Sequence, residues 1–233
     1  QRLEEIERFA ADVAHEIKNP LSSIRSAIET LPRIEDPARQ RQLLGIIGQD
    51  VVRLDRLISD VSDASRLDAE MSRVTAEPVD IVPMLRALEE LDEATRDSEA
   101  DPKLEVVAPP AGASVHAVPD RLMQVLHNLI GNARSFSPRG GRIVVRVADA
   151  DAMVELSVED EGPGIPEANL ENIFDRFYSE RPKGEKFGQH SGLGLSISRQ
   201  IVEALHGRIS AENRKGPDGR TLGARFIVRL PKA

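Results

Sequence analysis

The sequence predicts a two-domain α+β protein, with a helical hairpin over residues 1–70 followed by an α/β sandwich over residues 71–233. Before about residue 70, apolar residues recur at steps of three and four, which is the period of an amphipathic helix. After that point, short segments alternate apolar and polar residues, as strands with one buried face do. Helical patterns separate these segments, and the mixture favours a sheet covered by helices.

The first 70 residues are predicted to form two long helices. The first runs from about Leu3 to Leu31, and its apolar stripe consists of Leu3, Ile6, Ala10, Val13, Ile17, Leu21, Ile24 and Ile28. The second is expected to begin at Pro37, because Asp36 can cap it and the N–H that proline lacks would be unused there. Its stripe consists of Leu43, Ile47, Val51, Leu54, Ile58, Val61 and Ser65.

A lone hairpin cannot cover both apolar stripes. We therefore expect a homodimer, in which two hairpins pair into a four-helix bundle. The alternative is that the stripes pack against the rest of the same chain.

Three strands are predicted in the second domain, in the segments RIVVRVADA, MVELSVED and GARFIVRL. Helices are predicted from about Asp120 to Phe136 and from about Leu193 to His206, with Gly207 as the left-handed residue that ends the second. Residues 175–191 are polar and basic, contain glycine and show no periodicity. A long loop of this kind is usually functional, typically a lid.

Composition limits the classes of partner and site. The formal net charge of −8 argues against a broad surface for nucleic acid or for an anionic membrane. With no cysteine, the chain has neither disulfides nor thiolate metal sites. It has no apolar run of 18 residues, and it opens directly into a charged helical pattern, so we expect a cytoplasmic fragment of a longer protein.

One histidine is placed where it could act as a nucleophile. In the segment FAADVAHEIKNPLSSIR, His15 lies next to Glu16 within a helix, and Asn19 follows one turn later on the same face. The carboxylate could take a proton from the imidazole ring. Pro20 lacks an N–H and is expected to bend the helix just below His15.

Two glycine-rich segments in the second domain suggest phosphate and nucleotide binding. In DEGPGIP, Asp160 follows a predicted strand and could accept a hydrogen bond from an exocyclic amine such as that of adenine, while Gly162 and Gly164 allow close backbone approach. GLGL, residues 192–195, precedes a helix whose first N–H groups could hold phosphate. Either segment alone could be a simple turn, but their order and flanking elements favour a binding role.

The helix from about Asp120 to Phe136 carries a polar stripe beside its apolar one. The stripe consists of Gln124, Asn128, Asn132 and Ser135. Amide oxygens at this spacing could ligate a magnesium ion that also bridges nucleotide phosphates. An ordinary solvated helix face is the alternative.

These segments resemble the conserved boxes of sensor histidine kinases, in the order of that family. The matching segments are HEIKNPL, NLIGNARSFSP, DEGPGIP, FDRFY and SGLGLSIS. The resemblance implies a dimerisation and histidine-phosphotransfer hairpin followed by a catalytic domain of the Bergerat type, shared with gyrase and heat-shock-protein-90 ATPases. Within the kinases, NARSFSP and the segment 175–191 resemble the alphaproteobacterial ChvG and ExoS group.

The resemblance also implies a role for each matching residue. His15 would accept the γ-phosphoryl group of ATP, Glu16 would act as general base, and Asn19 would position a water for dephosphorylating a response regulator. Asn132 would ligate Mg²⁺, with Asn128 near the phosphates. Nucleotide contacts would come from Asp160, Gly162, Gly164, Gly192, Leu193 and Gly194. The upstream segment that is missing here would place the kinase at the inner membrane.

One position departs from the family pattern. Ser135 stands where many relatives carry a basic residue facing the phosphates, and the neighbouring Arg134 points about 100° away on a helix. Basic residues of the loop could supply the missing charge, namely Arg181, Lys183, Lys186 and His190. The aromatic residues Phe174, Phe177 and Tyr178 are expected to anchor this loop or to dock on the hairpin.

Three functions stay open on the sequence. The first is a histidine kinase that passes its phosphoryl group to an aspartate of a response regulator. The second is a dimeric ATPase or binding module, for which His15 would be dispensable. The third is a degenerate kinase that acts as a scaffold, which the intact glycine and asparagine motifs oppose.

Overall fold

A computed structural model describes residues 2–71, 73–96, 98–178 and 192–233. The chain divides into two compact units, Gln1–Arg66 with Arg176–Gly194 and Leu67–Asp175 with Leu195–Ala233. The predicted fold class is confirmed, since a helical hairpin precedes an α/β sheet domain.

The hairpin consists of helix α1, Arg2–Thr30, a short 3₁₀ turn at Leu31–Arg33, and helix α2, Pro37–Met71. The second helix begins as predicted: the side chain of Asp36 accepts a hydrogen bond from the N–H of Ala38 at 2.9 Å. Helix α1 is continuous through Pro20, which is buried.

The second unit is built on a five-stranded sheet. Its strands are β2, Lys103–Val107; β4, Arg142–Ala150; β5, Met153–Glu159; β6, Arg208–Lys215; and β7, Thr221–Pro231. They lie in the order β2-β4-β5-β7-β6, with β2 parallel to β4 and the other pairs antiparallel. Two short strands, β1 at Glu77–Asp80 and β3 at Ser114–Ala117, form a separate antiparallel pair.

Helices accompany this sheet: α3, Ile81–Thr95; α4, Pro119–Phe136; and α5, Gly194–Ala204. The apolar stripe of α4 is buried, and its members are Leu122, Val125, Leu126, Leu129, Ile130 and Ala133. Strands β4 and β5 bury their alternating apolar residues, which include Ile143, Val145, Val147, Val154, Leu156 and Val158. The predicted alternation of apolar residues is therefore present, but the other face is not fully exposed, since Ser157, Glu159 and Ile227 are buried there.

A network of ion pairs occupies polar positions of the sheet. Arg225 contacts Glu155, Glu159 and Glu212 at 3.1, 3.6 and 3.2 Å, and Arg146 contacts Glu159 at 3.3 Å. These ion pairs are partly exposed, so each one contributes little to the free energy of unfolding. The network chiefly gives these charged groups beside the core oppositely charged partners.

The end of α5 differs from the prediction by one residue. His206, not Gly207, has the left-handed conformation, with φ of 60°. The N–H of His206 donates to the carbonyl of Glu203 and that of Gly207 to the carbonyl of Val202, which is a Schellman motif with His206 at C′. Gly207 has another purpose: a Cβ there would lie 2.4 Å from the carbonyl oxygen of Arg229.

Within the described residues, no helix combines the length and the low polarity needed to cross a membrane.

Candidate active site

The segment around His15 presents polar groups on the hairpin surface. His15 and Asn19 are exposed, and they lie four residues apart on one face of α1. Glu16 is half-buried and its Oε2 accepts a hydrogen bond from Nη2 of Arg53, on α2, at 3.0 Å. The Arg53 side chain is only 10 % exposed, so the pair is shielded from solvent and holds the Glu16 carboxylate in one place.

Asp160 begins the loop after β5 and is 2 % exposed. Its Oδ1 accepts hydrogen bonds from the N–H groups of Gly162 at 2.8 Å and of Ala224 at 2.9 Å. Burial raises the pKa of the Asp160 carboxyl, although these two bonds and the positive charge of Arg214 act in the opposite direction. The structure thus fixes one carboxylate oxygen and keeps the group out of water.

The two glycines of this loop have no room for a side chain. A Cβ on Gly162 would lie 2.7 Å from the carbonyl oxygen of Phe136. Gly164 has φ of +79°, and its Cβ would lie 2.4 Å from Cγ2 of Thr221 and 2.6 Å from Oδ1 of Asn213. Both glycines are therefore required by the backbone path of the loop.

Two asparagines of the polar stripe of α4 have different environments. Nδ2 of Asn128 donates to Oγ of Ser198 at 3.2 Å, and Ser198 is fully buried on α5. Asn132 lies one turn later and is half-buried. Asn128 thus links α4 to α5, while Asn132 keeps some access to solvent.

Arg134 cannot replace the basic residue that many relatives carry at the position of Ser135. Its guanidinium pairs with the carboxylate of Asp92 on α3 and donates to the carbonyl of Pro102 at 3.4 Å. The structure therefore directs Arg134 away from the polar stripe, as the helical period predicts. The candidate basic residues Arg181, Lys183, Lys186 and His190 lie outside the described residues.

The segment before α5 has the backbone features of a tight turn. Gly192 has φ of +75°, and its Cβ would lie 2.9 Å from Cα of Phe177. The N–H of Phe177 donates to the Gly192 carbonyl at 2.9 Å. Leu193 is fully buried, so any contact it makes with a ligand comes from its backbone, and Gly194 begins α5.

The aromatic residues of FDRFY have different environments. Phe174 is buried and packs edge-on against Phe226, with ring centroids 6.3 Å apart. Phe177 stacks on Phe9 of α1 at 6.1 Å, and the guanidinium of Arg176 lies 4.9 Å from the centre of the Phe9 ring. The expected docking of an aromatic residue on the hairpin is thus present for Phe177.

Two groups that the sequence did not single out are Asn213 and Arg214, on β6. Nη1 of Arg214 donates to the carbonyl of Asp160 at 2.7 Å. Asn213 exchanges two hydrogen bonds with Ile165 in the same loop. Asparagine is depleted in strands, but this marks Asn213 only once β6 is known to be a strand. Among the described residues, no cluster of histidine or acidic side chains is arranged to hold a metal ion on its own.

Comparison with known families identifies both halves of this arrangement. The family model "His Kinase A (phospho-acceptor) domain" matches residues 5–70, and "Histidine kinase-, DNA gyrase B-, and HSP90-like ATPase" matches residues 117–233. The chain belongs to the histidine kinases. His15 falls within the first match and Asp160 within the second.

Similar proteins agree with this assignment. Sensor protein ChvG of Rhizobium meliloti (strain 1021) is 51 % identical over 99 % of this chain and 41 % of its own length. The crystal structure of histidine kinase ThkA in complex with response regulator protein TrrA matches with a TM-score of 0.76 and 29 % identity, over 100 % of this chain and 63 % of that one. Full-length ShkA in complex with AMPPNP matches with a TM-score of 0.63 and 26 % identity, over 97 % of this chain and 46 % of that one. The similarity to ChvG supports the predicted subgroup, and the chain spans about 40 % of the length of that relative.

Proposed function

We propose that this chain is the kinase core of a two-component sensor, which binds ATP and phosphorylates its own His15. The observation that carries the proposal is an exposed histidine beside a fixed carboxylate, in a chain whose second unit holds a buried aspartate in a glycine loop. The phosphoryl group would then pass to an aspartate of a response regulator. The ThkA structure, solved with a response regulator, supports this choice of partner.

Adenine recognition is assigned to Asp160. Both hydrogen bonds to its side chain from neighbouring N–H groups fall on Oδ1. Oδ2 is then the atom that would accept a hydrogen bond from the exocyclic amine of adenine, in a buried place where such a bond is strong. The ShkA structure contains the ATP analogue AMPPNP, which supports the choice of nucleotide.

The phosphates and their Mg²⁺ would be held by backbone and amide groups. Backbone N–H groups of Gly192, Leu193 and Gly194, at the start of α5, would contact the phosphates, while the backbone of Gly162 and Gly164 would approach the nucleotide beside Asp160. The amide oxygen of Asn132 is the proposed magnesium ligand, with Asn128 near the phosphates, since Mg²⁺ needs only one or two protein oxygens when it also binds phosphate. Mg²⁺ would neutralise charge that develops on the transferred phosphoryl group.

At His15, the reaction needs a neutral imidazole. Nε2 would form the new bond to the γ-phosphorus as the bond from that phosphorus to the leaving oxygen of ADP breaks. Glu16 would take the proton from the other ring nitrogen, so that the phosphorylated ring does not keep a positive charge. Arg53 holds Glu16 by its Oε2 and so limits where that carboxylate can reach.

The hairpin is proposed to dimerise through its apolar stripes. Leu21 and Ile28 of α1 are 51 % and 54 % exposed, and Val51 and Ile58 of α2 are 52 % and 57 % exposed. Large apolar residues at helical spacing on one surface are typical of a helix–helix interface. A second hairpin would cover them in a four-helix bundle.

Asn19 is proposed to position a water for hydrolysing the phosphorylated regulator, because it is exposed one turn from His15. The whole protein is proposed to be a membrane sensor, with this chain on its cytoplasmic side.

Incubation with γ-labelled ATP and Mg²⁺ tests the proposal. We expect label that is lost in acid and stable in base, as a phosphoramidate must be, and that is absent from His15→Ala. His127→Ala is the matched control, since His127 is also an exposed helical histidine. Label that persists in His15→Ala would refute the assignment, and ATP hydrolysis without His15-dependent label would favour the dimeric ATPase.

A further inference from the structure

We infer that Asn213 and Arg214, consecutive residues of β6, are positioning residues for the nucleotide, because together they fix both ends of the loop from Asp160 to Ile165. The inference rests on the proposed function, since it concerns the loop to which adenine recognition is assigned. The two residues are called the β6 clasp below.

Asn213 holds the far end of the loop through both polar groups of its side chain. Oδ1 accepts a hydrogen bond from the N–H of Ile165 at 2.7 Å, and Nδ2 donates to the carbonyl of Ile165 at 2.6 Å. The side-chain amide therefore pairs with one backbone residue as a neighbouring strand would. Both polar groups of the Ile165 backbone are satisfied in a loop that has no strand partner there.

The choice of asparagine follows from this geometry. Aspartate has the same shape but no N–H, so it would place an acceptor oxygen against the Ile165 carbonyl. Serine is shorter and has one polar atom, so it could replace only one of the two bonds. A side-chain amide of this length is what the site needs.

Arg214 holds the near end of the loop. Its Nη1 donates to the carbonyl of Asp160 at 2.7 Å, while its Nε lies 3.4 Å from Oε2 of Glu159. Glu159 thus orients the guanidinium that fixes the Asp160 backbone. Because Oδ1 of Asp160 is also bonded to Gly162 and Ala224, the position of Oδ2 follows from the combined contacts.

The two consecutive residues that contact this loop lie next to a strand irregularity. Successive side chains of a regular strand point to opposite faces. The pairing of β6 with β7 shifts register between Arg214 and Lys215, where Arg214 pairs with Gly223 and Lys215 with Thr221. Such bulges increase the local twist and redirect side chains, often beside functional sites.

The opposite strand of this ribbon is shaped to the same loop. Gly223 has φ of +144°, and a Cβ there would lie 2.0 Å from the carbonyl oxygen of Asp160. A Cβ on Gly164 would meet Oδ1 of Asn213 and Cγ2 of Thr221. The loop and the β6–β7 ribbon are therefore in contact at Asp160, Gly164 and Ile165, and these contacts are made by the protein alone.

The first test measures the loop without nucleotide. Amide hydrogen exchange at Ile165 should be at least about tenfold faster in Asn213→Ala than in the unaltered chain, because the acceptor of that N–H is removed. Arg208→Ala is the matched control, since Arg208 is an exposed residue on the same strand. Exchange at Ile165 that equals that of the control would overturn the clasp.

The second test measures ATP binding and autophosphorylation. Asn213→Ala and Arg214→Met should each raise KM for ATP about tenfold, the loss of one or two hydrogen bonds, while kcat at saturating ATP changes less than about twofold. A merely structural role would lower the active fraction and hence kcat, and would leave KM unchanged. That result would overturn the positioning role.

The two tests separate failure of the clasp from failure of the proposed function. If the unaltered chain itself bound no ATP, the proposed function would fail and the positioning role with it. The exchange data would then still decide whether Asn213 fixes the loop. Faster exchange at Ile165 with an unchanged KM would overturn the positioning role while the kinase assignment stands.

Discussion

Replacing Asp160 with asparagine should weaken nucleotide binding and at the same time stabilise the fold. Oδ1 of this residue accepts two backbone N–H bonds, from Gly162 and Ala224. An asparagine must therefore keep its carbonyl oxygen in that place, because the reverse orientation would set its NH₂ group against two N–H donors. The NH₂ group is then forced into the position of Oδ2, where it would face the exocyclic amine of adenine donor to donor.

The size of the loss in binding follows from this mismatch. A buried donor left without an acceptor costs about 1–3 kcal/mol, which corresponds to about a 5- to 150-fold weaker affinity. Calorimetric titration with a non-hydrolysable ATP analogue and Mg²⁺ would measure it. An Asp160→Asn variant that binds the analogue as tightly as the unaltered chain would refute the assignment of adenine recognition to this carboxylate.

The gain in stability follows from the pKa of Asp160. Burial raises this pKa above the ordinary value of 3.8, even after the opposing effects of the hydrogen bonds and of Arg214. Between 3.8 and the raised value, the folded state binds more protons than the unfolded state, so the free energy of unfolding falls as pH rises through that window. Each pH unit between the two pKa values lowers the free energy of unfolding by about 1.4 kcal/mol.

Asparagine carries no charge and escapes this loss. Urea unfolding without nucleotide should therefore show Asp160→Asn to be more stable than the unaltered chain at neutral pH. The difference should shrink as pH falls through the window and vanish below 3.8. A variant that is less stable at every pH would show that the carboxylate contributes to folding and that the burial argument has the wrong sign.

Further predictions concern the hairpin and the magnesium ligand. Asn132→Ala should lower autophosphorylation by at least about 100-fold, whereas His127→Ala on the same helix should not, and equal labelling of the two variants would remove Asn132 from the metal site. Asn19→Ala should slow dephosphorylation of a phosphorylated regulator at least about tenfold and leave the labelling of His15 intact; an unchanged rate would end that assignment. Leu57→Ala should cost about 2–5 kcal/mol in urea unfolding, because Leu57 is 2 % exposed within the hairpin. The neighbouring residue Ile58 is 57 % exposed. Ile58→Ala should chiefly weaken dimerisation, measured by sedimentation equilibrium, and unaltered association would contradict the proposed interface.

Most of the long elements could be predicted from the sequence because their signals are local and repeated, although the 15-residue helix α3 was not predicted. Helices α1, α2 and α4 show many turns of one apolar stripe, and β4, β5 and β7 alternate over seven residues or more. Strands β1, β2 and β3 were not predicted, since their four or five residues give too few repeats to establish a period. Strand β6 was missed for another reason: its sequence RISAENRK is mostly polar, because several of its side chains face charges or the nucleotide loop.

In the candidate site, too, residues close together in the chain could be predicted and those brought together by folding could not. Asp160, Gly162 and Gly164 lie within five residues, so their pattern is visible in the sequence. Asn213 and Arg214 contact that loop across 48 and 54 residues of chain, and the unusual place of an asparagine in a strand is visible only once β6 is known. Such long-range contacts follow from the folded pairing of β6 with β7, which the local pattern did not predict.

The residues around this loop violate ordinary folding preferences together, and that concentration indicates function. An aspartate is buried with a raised pKa, an asparagine lies within strand β6, and Gly223 adopts a φ of +144° in contact with the Asp160 backbone. Each feature alone is unfavourable for folding, since a buried charge, an asparagine in a strand and a glycine in a strand all lower stability. Because all three converge on the placement of one carboxylate, the fold keeps that charged group fixed at a cost in stability, as expected where binding and not folding determines the residue.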